Sequence, residues 1–527
     1  MTASPLTDAP AVARPALAPE IVARLTRQAR ATSSERREVT TPMTGAVIAT
    51  LRLSTLEDVD SAYAAARAAQ PAWAARPLAE KGAILRRFHD LVLARQPQLL
   101  DLVQLESGKA RLHAFEEVAD VAIVARHYAA TARRTLAPRR RRGVFPVLSQ
   151  VVEARIPKGV VGIVSPWNYP LSLSITDALA ALMAGNCVVL RPDLQSPLTA
   201  LAGVELLREV GLPAGVFQVV LGSGSSIGAA VLGRADYACF TGSTPTGRRV
   251  AAAAGERLIG ASLELGGKNA VYVADDADLD KAIPGVIRAC FSSAGQLCIS
   301  TERVLVHADV YAAFVPRFVA AVRALRLGTG LHWGYDLGSL ASADQLAAVE
   351  AHVADARAKG ATVLVGGQGR PDLGPYVYEP TILEGVTPEM ACRDEETFGP
   401  VVALYRVVDD AAAVALANDT AFGLNASVWT RDLARGRRVA AQIRTGTVNI
   451  NEAYAAAWGS VAAPMGGMKA SGIGRRHGQE GILRFTESQN VTAQRVLPIA
   501  PVMGLSDEKF ARALTGALKV MKGLRLQ

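Results

Sequence analysis

The chain has 527 residues, half of them hydrophobic, with five cysteines and a formal net charge of +9. This length allows two or three packed domains, and the irregular cysteine spacing predicts free thiols in a reducing compartment and no metal site. The scattered basic residues exclude a typical nucleic-acid-binding protein, and because neither a signal peptide nor a transmembrane stretch is recognisable, we expect a soluble cytoplasmic protein.

The N-terminal part is predicted to be mostly helical. Residues 1–20 are rich in Pro and Ala and are expected to form a loose tail. From about Leu56 to Leu136, apolar residues recur at spacings of three and four, which predicts helices. A basic run at Arg139–Arg142 then leads into a segment of strand character. The run is typical of a solvated turn beside an edge strand, with an anionic partner as the alternative.

Strands and helices alternate through the rest of the chain. The alternation from Gly159 onward predicts a parallel sheet covered by helices, and a second alternating region runs from about Leu265 to Gly467. The chain ends with a predicted strand and an amphipathic helix that carries Lys and Arg on one side. We expect this helix to pack on its own protein, with contact to a membrane surface as the alternative.

Glycine-rich turns follow two of the predicted strands. Gly242 and Ser243 precede a helix, and the free N–H groups of such a helix start attract phosphate. Thr244 is the expected N-cap and Pro245 the expected first helical residue. The GSGSSIG turn at 222–228 does not match the dinucleotide fingerprint GxGxxG, so we interpret it as a structural turn.

Four polar residues at such turns could carry chemistry. The Asn168 amide could donate to a developing oxyanion, although a simple turn Asn is the alternative. Arg191 ends a strand, and its charge suits an adenosine phosphate or ribose. Glu264 precedes two glycines, so a ligand can approach the backbone there. Cys298 follows a Gly-Gln turn that can expose its thiol, whereas the other four cysteines are expected to be inert core.

Together these segments resemble the aldehyde dehydrogenase superfamily, from about residue 40 to residue 490. The likeness is carried by PWNYP at 166–170, FTGSTPTG at 240–247, LELGGK at 263–268, GQLC at 295–298, EETFGPV at 395–401 and PMGGMKASGIGR at 464–475.

The resemblance implies an α/β fold of three parts, in homodimers or homotetramers. The parts are a Rossmann-like cofactor domain at 21–137 and 158–264, an α/β catalytic domain at 265–468, and a small β oligomerisation arm at 138–157 and 487–498, with an amphipathic C-terminal tail at 499–527. The basic run would then lie close to a subunit contact.

The resemblance also implies a mechanism and a set of cofactor residues. Cys298 would attack the aldehyde as a thiolate, and Asn168 with the Cys298 backbone N–H would hold the oxyanion. After hydride transfer to the nicotinamide, Glu264 would activate water to hydrolyse the thioester. Glu396 would hold the nicotinamide ribose, with Phe398 against the ring. The implied cofactor contacts are Trp167, Asn168, Arg191, Asp193, Leu194, Gly242, Ser243, Leu265, Glu396 and Phe398.

The chain departs from the family pattern at the adenosine site. Many members have Lys-Pro-Ser-Glu there, and the Glu binds the ribose of NAD. Here the sequence reads RPDL at 191–194, so Leu194 replaces that Glu. A Glu at this position would repel a 2′-phosphate. Its absence, together with the permanent positive charge of Arg191, favours NADP over NAD. Asp193 could bind a ribose hydroxyl or repel the phosphate.

Within the family, the chain is similar to a branch of succinate-semialdehyde dehydrogenases, which predicts that substrate. The better-known branch has an Arg that grips a carboxylate near the place of Thr176 and Asp177, so the anchor must come from elsewhere. Arg288, Trp458 and Ser460 are the candidates. Another semialdehyde such as glutarate semialdehyde, an aliphatic or aromatic aldehyde, a CoA-acylating enzyme and a non-catalytic homologue are the alternatives.

Overall fold

A short β-hairpin and a series of helices form the N-terminal part of the structure. The computed structural model describes residues 17–143, 145, 149–496 and 498–525, so most of the predicted tail lies outside the described residues. The elements are α1 Pro19–Thr26, β1 Arg36–Thr40, β2 Val47–Arg52, α2 Leu56–Ala75, α3 Leu78–Ala94, α4 Gln96–Ser107, α5 Arg111–Leu136, β3 Arg139–Arg141 and β4 Ser149–Pro157.

Local sequence explains the boundaries of these helices. Helix α2 begins after Thr55, whose side chain forms a reciprocal capping box with Asp58. Helix α4 ends at Gly108, which has a left-handed φ of 71° that favours glycine. The helices predicted between Leu56 and Leu136 are confirmed. The first helix begins at Pro19, just inside the segment predicted as tail.

Strands and helices then alternate as the pattern predicts. The elements of the next part are β5 Val160–Val164, α6 Pro170–Met183, β6 Cys187–Arg191, α7 Pro197–Glu209, β7 Phe217–Val219, α8 Ala229–Arg234, β8 Tyr237–Thr241, α9 Thr244–Glu256 and β9 Gly260–Glu264.

A second alternating part follows without a break. Its elements are β10 Asn269–Val273, α10 Leu279–Phe291, β11 Thr301–His307, α11 Ala308–Arg323, α12 Ala343–Ala358, β12 Thr362–Val365, β13 Thr381–Glu384, α13 Ala391–Asp394, β14 Val401–Val407, α14 Asp410–Asn418, β15 Asn425–Trp429, α15 Leu433–Ala440, β16 Thr447–Ile450 and α16 Ala455–Gly459. The chain ends with β17 Gly472–Ile473, α17 Gly478–Leu483, β18 Thr486–Gln494 and α18 Asp507–Gly523.

Two largely parallel sheets form the centre of the molecule, which confirms the predicted α/β class. The first has the order β17-β9-β8-β5-β6-β7, with only β17 antiparallel to its neighbour. The second has the order β12-β13-β14-β11-β10-β15-β16, with β12 antiparallel. Every residue of β5 and β6 is buried, because helices cover both faces of a parallel sheet.

The first sheet collects several predicted site residues at one edge. Strands β5, β6, β8 and β9 are parallel neighbours, so their carboxyl ends lie together. Trp167, Asp193 and Gly242 come shortly after three of these ends, and Glu264 is the last residue of β9. Ligands of open α/β sheets bind at this edge.

A separate antiparallel sheet has the order β18-β4-β3. It joins the segments that the sequence assigns to an arm, with Thr486 opposite Pro157 and Gln494 opposite Ser149. Strand β3 consists of three exposed arginines at the sheet edge, and Arg141 forms an ion pair with Glu153. The basic run is therefore a solvated edge strand.

The C-terminal amphipathic helix forms as predicted, but α18 buries none of its residues. The expectation that this helix packs on its own protein is therefore wrong for the isolated chain. In the part of the chain that the structure describes, no helix has the length and apolarity that crossing a membrane requires.

Candidate active site

The loop that leads to Cys298 has an unusual backbone. Ser293, Ala294 and Gly295 all have left-handed φ angles, of 52°, 54° and 73°. A Cβ at Gly295 would lie only 2.1 Å from the carbonyl oxygen of Gly399, so only glycine fits at this position. Two strained non-glycine residues in succession persist only where their surroundings hold them.

Side chains from helix α5 and the β5–α6 loop hold this strained segment. The Ser293 N–H donates to Nδ1 of His113 at 3.1 Å, and its hydroxyl bonds the Tyr169 hydroxyl at 2.8 Å. After the loop, the Asn269 amide donates to the carbonyl of Cys298 at 2.8 Å. The backbone on both sides of Cys298 is therefore fixed before any ligand binds.

Cys298 differs from the other cysteines in its exposure. All five cysteines lie in the described residues, and only Cys298 is partly exposed. It lines a small cavity of about 70 Å³. The cavity is also lined by Asn168, Tyr169, Tyr454, Trp458, Arg476 and His477.

Glu264 does not line this cavity, but its charge acts on the Cys298 thiol. Burial, with smaller contributions from the carboxyl groups of Glu396 and Glu264, raises the pKa of the Cys298 thiol to about 12, and Arg476 opposes this rise. Burial also raises the pKa of Glu264 to about 7, again against Arg476. The Oε1 atom of Glu264 has no hydrogen-bond partner among the described residues. At neutral pH the cysteine is therefore a thiol, and a carboxylate able to accept a proton lies nearby.

Asn168 is held at the mouth of this cavity. Its side-chain NH₂ group donates to the backbone carbonyl of Gln296 at 3.0 Å. The backbone carbonyl of Asn168 accepts a hydrogen bond from Nζ of Lys109 at 2.6 Å. Lys109 is itself paired with Glu117 at 2.8 Å. Because an amide nitrogen has two hydrogens, one N–H of Asn168 remains for a ligand.

The loop carrying Glu396 and Phe398 is anchored by a carboxylate that sequence reasoning missed. Glu302 accepts from the backbone N–H groups of Thr397 and Phe398, each at 3.0 Å, and forms a buried ion pair with Lys268. Phe398 has a left-handed φ of 53°. The residue that could have pointed to Glu302 is Lys268, because a lysine that is buried in the fold needs a carboxylate partner.

Removing the charge of Glu302 should destabilise the loop that Glu302 anchors. Glu302→Gln leaves Lys268 buried without a counter-charge, so we expect a loss of about 3–5 kcal/mol in the free energy of unfolding. Urea denaturation of the variant measures this loss. Glu395→Gln is the matched control, because the Glu395 side chain is 73% exposed. Equal stability of the two variants would contradict the assignment.

A second cavity of about 670 Å³ lies beside the first sheet, and its size suits a dinucleotide. Trp167, Arg191, Asp193, Gly242 and Ser243 line it, as the sequence predicts for cofactor residues. Gly224, Ser225, Gly228, Thr246 and Arg249, which the sequence does not predict as cofactor contacts, also line it. Part of the 222–228 turn therefore borders the cavity, and its interpretation as a structural turn stays a prediction.

The start of helix α9 faces this cavity and suits a pyrophosphate. Its N-cap is Ser243 rather than Thr244, so the predicted boundary is wrong by one residue, and no side chain caps the helix. The first-turn N–H groups therefore remain available to an anion. At Gly242 a Cβ would come within 2.6 Å of the Phe240 ring, so this turn requires glycine.

Five predicted cofactor residues lie outside the lining of this cavity, and one of them, Asn168, lines the small cavity instead. Leu194 packs against the hydrophobic core, because burial of its apolar side chain is favourable. Leu265 packs against Gly247. Glu396 accepts from the N–H of Gly267 at 2.8 Å, and Phe398 meets Trp167 edge-on with ring centroids 5.6 Å apart.

Arg191 is already partnered. Its Nε donates to the carbonyl of Gly222 at 2.8 Å, and its Nη1 pairs with Asp193 at 3.0 Å. The positive charge of Arg191, which the sequence predicts to bind a phosphate, is therefore partly balanced by Asp193.

The three predicted carboxylate anchors differ in position. Arg288 pairs with Glu116 at 2.8 Å and lies over the Tyr454 ring, and it does not line the small cavity. Trp458 does line it, and Ser460 does not. Asp120, Arg476 and His477 also line this cavity, although the sequence does not predict them as site residues.

Comparison with known proteins identifies the family. Residues 29–491 match the sequence profile described as "Aldehyde dehydrogenase family". The chain belongs to this family. The match confirms the resemblance drawn from the six motifs.

Several relatives share nearly the whole length of this aldehyde dehydrogenase. A Mycolicibacterium smegmatis protein, provisionally named an NADP⁺ succinate-semialdehyde dehydrogenase, is 51% identical over 93% of this chain and 95% of its own. The mitochondrial succinate-semialdehyde dehydrogenase of Arabidopsis thaliana is 37% identical over 86% and 85%. The crystal structure of succinate-semialdehyde dehydrogenase from Burkholderia pseudomallei is 36% identical, with a TM-score of 0.85 over 89% and 96%.

Proposed function

We propose that this aldehyde dehydrogenase oxidises succinate semialdehyde to succinate, with NADP⁺ as the hydride acceptor. The observation that carries the reaction type is the partly exposed thiol of Cys298 in a small cavity, within the electrostatic influence of Glu264, a buried carboxyl whose pKa lies at about 7. The names of the relatives support the choice of aldehyde and cofactor.

In the proposed mechanism, Cys298 supplies the nucleophile and Glu264 activates water. The sulfur attacks the aldehyde carbon as the thiol releases its proton to solvent, so Glu264, which titrates in the range a general base needs, stays available to accept a proton in the second half of the reaction. The free N–H of Asn168 and the backbone N–H of Cys298 stabilise the oxyanion. The bound nicotinamide supplies the hydride acceptor. Glu264 then takes a proton from water, the resulting hydroxide attacks the thioester carbon, and the acid leaves as Cys298 regains its proton.

The residues around the large cavity fit a phosphorylated dinucleotide. The open first turn of α9 would bind the pyrophosphate, and Arg191 would face the adenosine end. No acidic side chain stands at Leu194 to repel a 2′-phosphate, which favours NADP⁺. Asp193 works against this preference because it balances the charge of Arg191, so NAD⁺ is the alternative cofactor.

The three-stranded sheet β18-β4-β3 is the proposed oligomerisation arm of a cytoplasmic homodimer or homotetramer. Strand β18 is exposed over eight of its nine residues. Exposed edges of this kind are ready to be covered by another chain, which supports a subunit contact there.

Initial rates with a panel of aldehydes and both cofactors test the proposal. Succinate semialdehyde, glutarate semialdehyde, hexanal and benzaldehyde are each assayed with NADP⁺ and NAD⁺ at matched concentrations. We expect the highest kcat/KM for succinate semialdehyde with NADP⁺. Faster rates with NAD⁺ would contradict the cofactor assignment. Acyl-CoA formed when CoA is added would contradict hydrolysis by water.

A further inference from the structure

Arg476 is the one permanently charged cation among the described residues that line the small cavity at Cys298. Its side chain is nearly buried, with 7% of the residue exposed. The neighbouring His477 carries no charge at neutral pH, because burial lowers its pKa to about 3. A buried guanidinium at a substrate cavity is costly to keep unless it binds something.

The contacts of Arg476 leave part of its guanidinium free. Nε donates to Asp177 at 3.0 Å, and Nη2 donates to the Thr176 hydroxyl at 2.5 Å. Among the described residues, Nη1 has no hydrogen-bond partner. Asp177 also binds Arg484 at 2.7 Å. Two guanidinium groups therefore share one ion-paired carboxylate, and Glu264 and Asp120 act on Arg476 only as neighbouring charges without an ion pair.

The carboxyl groups at the cavity do not occupy this guanidinium. Glu116 is paired with Arg288 and Glu117 with Lys109. Asp120 accepts a hydrogen bond from Ser172, and burial raises its pKa to about 6. None of the three forms an ion pair with Arg476, so its free edge can receive an anion that enters with the aldehyde.

We propose that Arg476 binds the distal carboxylate of the substrate and makes the site selective for a short semialdehyde that ends in an acid. This inference rests on the proposed function and names the residue that would determine the choice of substrate. A guanidinium donates two parallel hydrogen bonds to a carboxylate, which gives both affinity and orientation. Arg288 is less suited, because Glu116 and Glu452 already hold its guanidinium outside the lining of the cavity.

The test compares a charged aldehyde with an uncharged one of the same length. For Arg476→Gln, we expect kcat/KM for succinate semialdehyde to fall roughly tenfold to a hundredfold, mainly through KM, and kcat/KM for butanal to change little. The variant should fold, because Asp177 keeps its ion pair with Arg484, and thermal unfolding checks this. Arg476→Lys keeps the charge without the paired donors and should recover part of the affinity.

The outcomes separate the anchor from its alternatives. Arg288→Gln is the matched control, and a loss of succinate semialdehyde affinity in that variant alone would overturn the assignment to Arg476. Equal losses for both aldehydes in Arg476→Gln would also overturn it, because they would indicate that Arg476 only positions Glu264. If the wild-type enzyme oxidises butanal as well as succinate semialdehyde, both the proposed substrate and the anchor are overturned. If the wild type prefers succinate semialdehyde and Arg476→Gln keeps that preference, the anchor alone is overturned.

Discussion

Replacing Cys298 with alanine is expected to abolish aldehyde oxidation, with a fall in kcat of about 10⁴-fold or more, as for other enzymes that lose their nucleophile. Without the sulfur no covalent intermediate forms, and neither Asn168 nor Glu264 can replace it. The large cavity that should hold the dinucleotide does not include Cys298 among its lining residues. Fluorescence titration of the variant with NADP⁺ should therefore give an unchanged Kd.

Cys392→Ala is the matched control for this experiment. Cys392 is buried and packs in the core of the second sheet, so its loss should lower stability slightly and leave kcat unchanged. The exposure of Cys298 gives a second readout, since iodoacetamide should label it faster than the four buried cysteines of the folded wild-type protein. Substantial activity in Cys298→Ala would refute the nucleophile assignment.

The fold was largely predictable because its signals are local. Helix periodicity between Leu56 and Leu136 and the strand–helix alternation after Gly159 depend on the side chains of each segment alone. The exact start of α9 was not predictable, because both Ser243 and Thr244 are acceptable N-caps. The C-terminal helix itself was predicted, but not that it buries none of its residues, because an amphipathic pattern indicates an apolar face and not what covers it.

The candidate site was predictable only where a motif carries the residue. Glu302 and Arg476 act through partners that lie far away in sequence, at 397–398 and 176–177, and no spacing rule connects such pairs. Leu194 shows a related limit. Comparison with the family motif placed it at the cofactor, but a motif does not say which way a side chain packs, and in the fold Leu194 is partly buried against the core.

Replacing Glu264 with glutamine should separate the two halves of the reaction. We expect kcat to fall roughly a hundredfold to ten-thousandfold, the usual contribution of a general base, while the thioester on Cys298 accumulates because its hydrolysis needs that base. Mass spectrometry of the enzyme quenched during turnover should detect the acylated cysteine. In the wild type, kcat should rise as the pH rises through about 7, where Glu264 loses its proton, and this rise should be absent in the variant.

The same substitution should make the protein more stable above neutral pH. Burial raises the folded-state pKa of Glu264 to about 7 from the usual 4.5, so the fold favours the protonated carboxyl, and stability declines as the pH rises from about 4.5 to 7. Glutamine resembles the protonated form and avoids this decline. By pH 8 the difference should approach about 3 kcal/mol in favour of Glu264→Gln, measured by urea unfolding at pH 5 and pH 8. A residue that served only the fold would lose stability on replacement, so a gain in stability together with a loss of turnover is the combination expected of a buried base retained for catalysis.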